Sequence, residues 1–145
     1  MVSTVRTILL EELDEYQGVV HIEIQGQRFC AAYNLVKDIA RSILRPNAVL
    51  NGDIWLLFGT VEPSPTDCPG IHLETNTCAG FYRGRIIEVH NSHSYRMECG
   101  AITFDIHNDR DCDFQCGDWV QVRAEMQIFP IHQSNICTKE MLIGP

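Results

Sequence analysis

A chain of 145 residues, 45% hydrophobic and 21% charged, can bury a core without disulfide staples and holds no apolar run long enough for a membrane-spanning helix. Lys and Arg total 11 against 19 Asp and Glu, a formal net charge of −8. That balance argues against a general binder of phosphate backbones and leaves protein partners, small ligands and cations.

The first predicted element spans residues 4–16. Val5, Ile8, Leu9, Leu13 and Tyr16 recur at helical spacing, and Ser3 or Thr4 can cap them; "TVRTILLEEL" also reads as a strand. Glu11 and Glu12 break the apolar stretch, so it lacks the pattern of a signal peptide. "GVVHIEIQG" then alternates, with Val20, Ile22 and Ile24 on one face and His21 and Glu23 on the other, and "RFCAAY" returns after a tight turn. Asn34 can cap a helix through about Leu44, with Leu35, Ile39, Ile43 and Leu44 on its apolar face, and Pro46 stops it. "NGD" reads as a turn, and "IWLLFGTV" as a strand buried on both faces.

Residues 62–80 hold prolines, glycines, Cys68 and Cys78 without periodicity, and read as a long loop. A hairpin follows, turned around Asn91–Ser94. The apolar parity changes at Cys99–Gly100, the pattern of a bulge or glycine kink in one bent strand. "GDWVQVRAEMQIFP" closes the readable part: Val120, Val122, Ala124, Met126 and Ile128 alternate with polar residues. "ICTKEMLI" near the end could add an edge strand.

Sliding the first half along until Gly52 meets Gly117 also lays Asp53 on Asp118, Ile22–Ile24 on Ile87–Val89 and Pro65 on Pro130. An internal repeat of 18–63 and 84–130, joined by loop 62–80, is one reading; common Gly-Asp turn chemistry is the other. Either way residues 1–145 read as a single, mainly β domain, a small barrel or sandwich with one or two short helices. The bent strand and "GDWVQV" resemble, in general style, small Greek-key barrels of the OB type.

Two clusters suit a metal. Cys68, His72 and Cys78 offer thiolates and an imidazole to zinc, with Cys112 and Cys116 as further donors. Asp105, His107 and Asp109 can offer oxygen and nitrogen to another divalent cation, with Asp111 and Asp113 beyond. His21, His90 and His93 lie near turns or on polar faces, and no nucleophile elbow, phosphate loop or dinucleotide fingerprint is present. The leading expectation is a non-catalytic binding or assembly module with a protein partner or a homodimeric state. The alternative is a divalent-metal protein, with a hydrolase as the activity such a site would serve. Binding of single-stranded nucleic acid ranks third and is disfavoured by charge. The seven cysteines form no compact framework, so they point to free thiols in the cytoplasm.

Overall fold

The computed structural model describes residues 2–131. The expected edge strand in "ICTKEMLI" lies outside the described residues. Within them run β1 (Val2–Glu12), β2 (Gly18–Ile24), β3 (Gln27–Tyr33), α1 (Lys37–Ile43), β4 (Val49–Pro63), β5 (Gly70–Leu73), β6 (Ala79–Val89), β7 (Ser94–Cys99), β8 (Ile102–Asn108) and β9 (Trp119–Ile131). The fold is mainly β, and no described helix is long and apolar enough to cross a membrane. The strands form one sheet in the order β1-β2-β3-β9-β4-β8-β7-β6-β5, and the further pairings β1–β4 and β6–β9 bring it nearly into a ring.

The interior of that ring is the core. Alternation puts Val20, Ile22, Ile24, Phe29, Ile54, Leu56, Met97, Phe104, Ile106, Val122 and Met126 inside, all buried. Phe104 meets Phe29 and Tyr82 edge-on, with centroids 6.0 and 5.3 Å apart. Each such side chain contributes roughly 1.5–3 kcal/mol when taken from water.

The first segment is a strand, not a helix. A bulge between Thr7 and Leu9 shifts the alternation by one residue, which imitates helical spacing in the sequence. Val5 and Thr7 point inward, while Leu13 and Tyr16, which complete the helical stripe, lie exposed after the strand ends. The expected second helix is shorter than 34–44. Val36, not Asn34, stands at its N-cap without a side-chain hydrogen bond, Ile39 is exposed, and Ala40 and Leu44 are the buried positions. Lys37 donates its backbone N–H to the Glu15 carbonyl, and Arg41 bonds Glu12, so the helix is tied to the end of β1 and the turn that follows.

"NGD" is not a turn. Asn51, Gly52 and Asp53 lie inside β4, opposite Ile131, Pro130 and Phe129. Only one side of this strand is fully buried, at Ile54 and Leu56; Trp55 and Leu57 are half-buried on the other. Gly117–Asp118 does precede β9, at a turn where Gly117 has φ +97°. The two Gly-Asp pairs therefore occupy different places. Gly100 is neither bulge nor kink: it has φ +66° in a hairpin that sets Cys99 opposite Ile102, so two strands replace the one expected. Within loop 62–80 the short strand β5 adds itself to β6.

Pairing follows one scheme in each half. β1-β2-β3 and β6-β7-β8 are successive antiparallel strands. β3 runs parallel to β9 as β8 does to β4, and β1 is antiparallel to β4 as β6 is to β9. The bulge of β1 after Thr7 has a counterpart in β6 after Ile86. Arg6 pairs with Glu23 across β1–β2 at 3.0 Å, and Arg85 with Glu98 across β6–β7 at 3.3 Å. β4 and β9 cross antiparallel with Leu56 opposite Met126.

Candidate functional site

The outer face of β1–β3 carries a row of side chains fixed by strand register. Leu9 is opposite His21, and His21 is opposite Cys30. Directly opposed residues share a face and bring their Cβ atoms within about 4.5–5.5 Å. Glu11, next along that face, places Oε1 3.2 Å from His21 Nε2. The contact is close enough for an ion pair, yet Nε2 is not aligned for a hydrogen bond, and it is otherwise buried without a partner.

The segment joining β5 to β6 crosses over this row. Asn76 turns it at φ +63°, Thr77 Oγ1 accepts from the Ala79 N–H, and Glu74 takes a 2.7 Å ion pair from Arg123. The Cys78 carbonyl accepts from Met126 N–H on β9 at 3.0 Å. These contacts set Cys78 against β3, with its sulfur 3.1 Å from that of Cys30. Between the strands and the crossing segment lies an open cleft of about 610 Å³, with Leu9, Val19, Phe29 and Leu73 on its apolar walls and Glu11, His21 and Arg28 at its polar points.

The sulfur contact with Cys78, helped by His21 and opposed by burial, holds Cys30 below the ordinary thiol value. The same contact and burial push Cys78 up. The thiolate is therefore favoured on Cys30 rather than on Cys78.

The corresponding row on β6–β8 is Glu88, Arg96 and Asp105, again opposed by register. Arg96 reaches Glu88 at 2.7 Å and Asp105 at 3.2 Å, and His90 Nε2 lies 3.4 Å from Asp105. Asp105 is buried, with the Arg96 guanidinium beside it.

The residues singled out from the sequence are dispersed. Cys68 and His72 are exposed, His72 on β5 opposite Phe81, while Cys78 faces Cys30. Asp105 belongs to the Arg96 network, His107 stacks on His93 with centroids 6.0 Å apart, and Asp109 is exposed. Cys112 accepts a 2.7 Å hydrogen bond from Asn108, and Cys116 is exposed. Among the described residues no group of three or more His, Cys, Asp or Glu is gathered to hold a metal ion. Cys30 and its pairing with Cys78 are absent from the sequence reading, although the signal for half of it is present. A two-residue turn at Gln25–Gly26 sets Ile24 opposite Gln27, which forces His21 opposite Cys30.

No protein-family model matches the chain, and no curated protein matches it.

Proposed function

We propose that this chain is a non-catalytic binding module, a small barrel made of two copies of one strand unit, whose cleft over β1–β3 holds a partly apolar small molecule. The cleft carries this reading. Its volume of about 610 Å³ falls in the range of roughly 300–1,000 Å³ common to small-molecule sites, and apolar walls with a few convergent polar groups are their usual lining. Support for duplication comes from the matched pairing, the matched bulges and the equivalent ion pairs Arg6–Glu23 and Arg85–Glu98. Phe29 and Phe104 also fall at matching places. The repeated unit is then 2–63 and 79–131, in a different register from the Gly-Asp match. Divergence has filled the second copy's row with its own ion pairs and left the first copy's row open.

Titration with an anilinonaphthalene sulfonate dye tests the cleft. Leu9 is exposed on its wall, so Leu9→Glu spares the core. Dye binding should weaken by about tenfold or more, equivalent to about 1.4 kcal/mol. An unchanged titration in a folded variant removes the cleft as the site.

Self-association has separate support. Val2 and Phe129 flank Asp53 in one cross-strand row, Ile131 lies beside them, and all three are exposed on the outer face of β1–β4–β9. A dimer through this face should dissociate in Phe129→Glu by sedimentation, and a wild-type chain that sediments as a monomer at high concentration refutes it. Zinc at Cys68, His72 and Cys78, or a cation at Asp105, His107 and Asp109, has no gathered donor set behind it among the described residues.

A further inference from the structure

The Cys30 and Cys78 sulfurs, 3.1 Å apart, stand about 1 Å beyond the ~2.0 Å of a disulfide bond. Their approach is set by backbone. Cys30 lies on β3, hydrogen-bonded along its length to β2, and Cys78 is anchored to β9 through Met126. Both open onto the cleft, which is large enough for a small thiol compound. The other described cysteines are placed differently: Cys99 is buried, Cys112 is hydrogen-bonded to Asn108, and Cys68 and Cys116 are exposed.

We infer that Cys30 and Cys78 form a thiol–disulfide exchange site that takes small-molecule disulfides into the cleft, with Cys30 as the attacking sulfur and Cys78 as the resolving one. The Cys30 thiolate attacks one sulfur of R–S–S–R. The new Cys30 Sγ–S bond forms, the substrate S–S bond breaks, and RS⁻ leaves and takes a proton from water. Cys78 then loses its proton to water, and its thiolate attacks Cys30 Sγ. The Cys30–Cys78 bond forms, and the second RS⁻ leaves and takes up from water the equivalent of the proton that Cys30 released on ionising. In total the protein dithiol loses two electrons and two protons, and the disulfide becomes two R–SH.

The assignment of roles follows what lies beside each sulfur: His21 is opposite Cys30 across β2–β3, whereas Glu125 is opposite Ala79, the residue next to Cys78. Attack requires thiolate, and the contact with Cys78 favours it on Cys30. His21, opposite Cys30, adds to that effect, while Glu11, Glu74 and Glu125 bring negative charge to the surroundings and Arg28 positive. Once Cys30 is part of a mixed disulfide, its contact no longer raises Cys78, and burial with the Glu125 and Glu11 charges is what still opposes ionisation there. The site uses the same cleft as the proposed ligand but needs none bound. Dye titration of the reduced protein reads the cleft alone, so the two readings fail separately.

Reduced full-length protein, treated with oxidised glutathione, quenched in acid, alkylated and mapped by peptide mass, tests the site. A Cys30–Cys78 linked peptide, lighter by two hydrogens, should form before glutathione accumulates on Cys68 or Cys116. Cys78→Ser should trap glutathione on Cys30, and Cys30→Ser should leave Cys78 unmodified over the same time. Glutathione on Cys68 and Cys116 without the linked peptide overturns the inference. A folded Cys78→Ser chain that takes up none on Cys30 does the same. If neither variant folds, the wild-type map still decides.

Discussion

Cys99 and Tyr82 show how single buried groups set the alkaline limit of this fold. Burial is the main cause in both: it pushes the Cys99 thiol up to about 12 and raises the Tyr82 hydroxyl above its ordinary value. An unfolded chain ionises them near 9.0 and 10.0, whereas the folded chain must keep them protonated. Stability is therefore intact below about pH 9 and is lost as pH rises toward 12, because the unfolded state releases its protons first. The slope approaches about 1.4 kcal/mol per pH unit for each group while only the unfolded form is ionised. Urea midpoints from about pH 8 to about pH 11 should fall, and Cys99→Ala, starting lower through its lost volume, should fall less steeply. Parallel pH curves for the two proteins would remove Cys99 from this account. The alternation around Tyr95, Met97 and Cys99 makes the inward direction of these side chains legible in the sequence. The depth of burial is not, because it depends on how many strands close over them.

Strand β4 shows where element-scale reading succeeds and fails. Its apolar run "IWLLF" marks a strand correctly, but the sequence cannot tell a strand buried on both faces from one half-covered by neighbours on its outer side. Gly52–Asp53 carries turn composition yet lies within the strand, since a long crossing partner, β9, supplies its hydrogen bonds. Likewise β1 is misread as a helix, because one bulged residue turns a period of two into an apparent period of three to four. β4 also holds a local misfit. Phe58 has φ +59° and 69% exposure, at the bulge between Leu57, opposite Glu125, and Thr60, opposite Arg123. A bulky residue in the left-handed region costs roughly 1–2 kcal/mol, and this side chain gains little burial in return. Phe58→Gly should therefore keep or raise the melting temperature, by up to the equivalent of about 1 kcal/mol once glycine's greater chain entropy is counted. A large loss of stability would mean that the ring is held by contacts its exposure does not reveal. Gly59→Ala should do the opposite, since an added Cβ meets the Arg123 carbonyl and the Ala124 side chain.

At the scale of the whole molecule, the halves are interlocked rather than adjacent. β3 takes β9 as its second neighbour, β4 lies between β9 and β8, and β4 and β9 cross at the centre. Each half thus lends its last strand to the other, so residues 2–63 alone leave β3 without the β9 partner and β4 without both β8 and β9. This also explains what the sequence hides. Local hairpins such as β2–β3 follow from alternation and a two-residue turn, whereas the β3–β9 and β4–β8 pairings join residues far apart along the chain and carry no local signal. The Cys30–Cys78 contact depends on the same long-range placement, through the Met126 anchor on β9. Fragments 1–68 and 69–145 should therefore each lack a cooperative thermal transition as monomers, because unpaired edges and an open core cost more than the remaining hairpins supply. Mixed in equal amounts, they should recover β-sheet circular dichroism and one cooperative melt. If the unit is a true duplicate, the first fragment alone at high concentration should also pair with itself, β4 against β4, since β4 and β9 meet about an axis through Leu56 and Met126. A first fragment that melts cooperatively as a monomer would show that the interlock is dispensable. Recovery by mixing without any self-pairing would keep the interlock and speak against interchangeable halves.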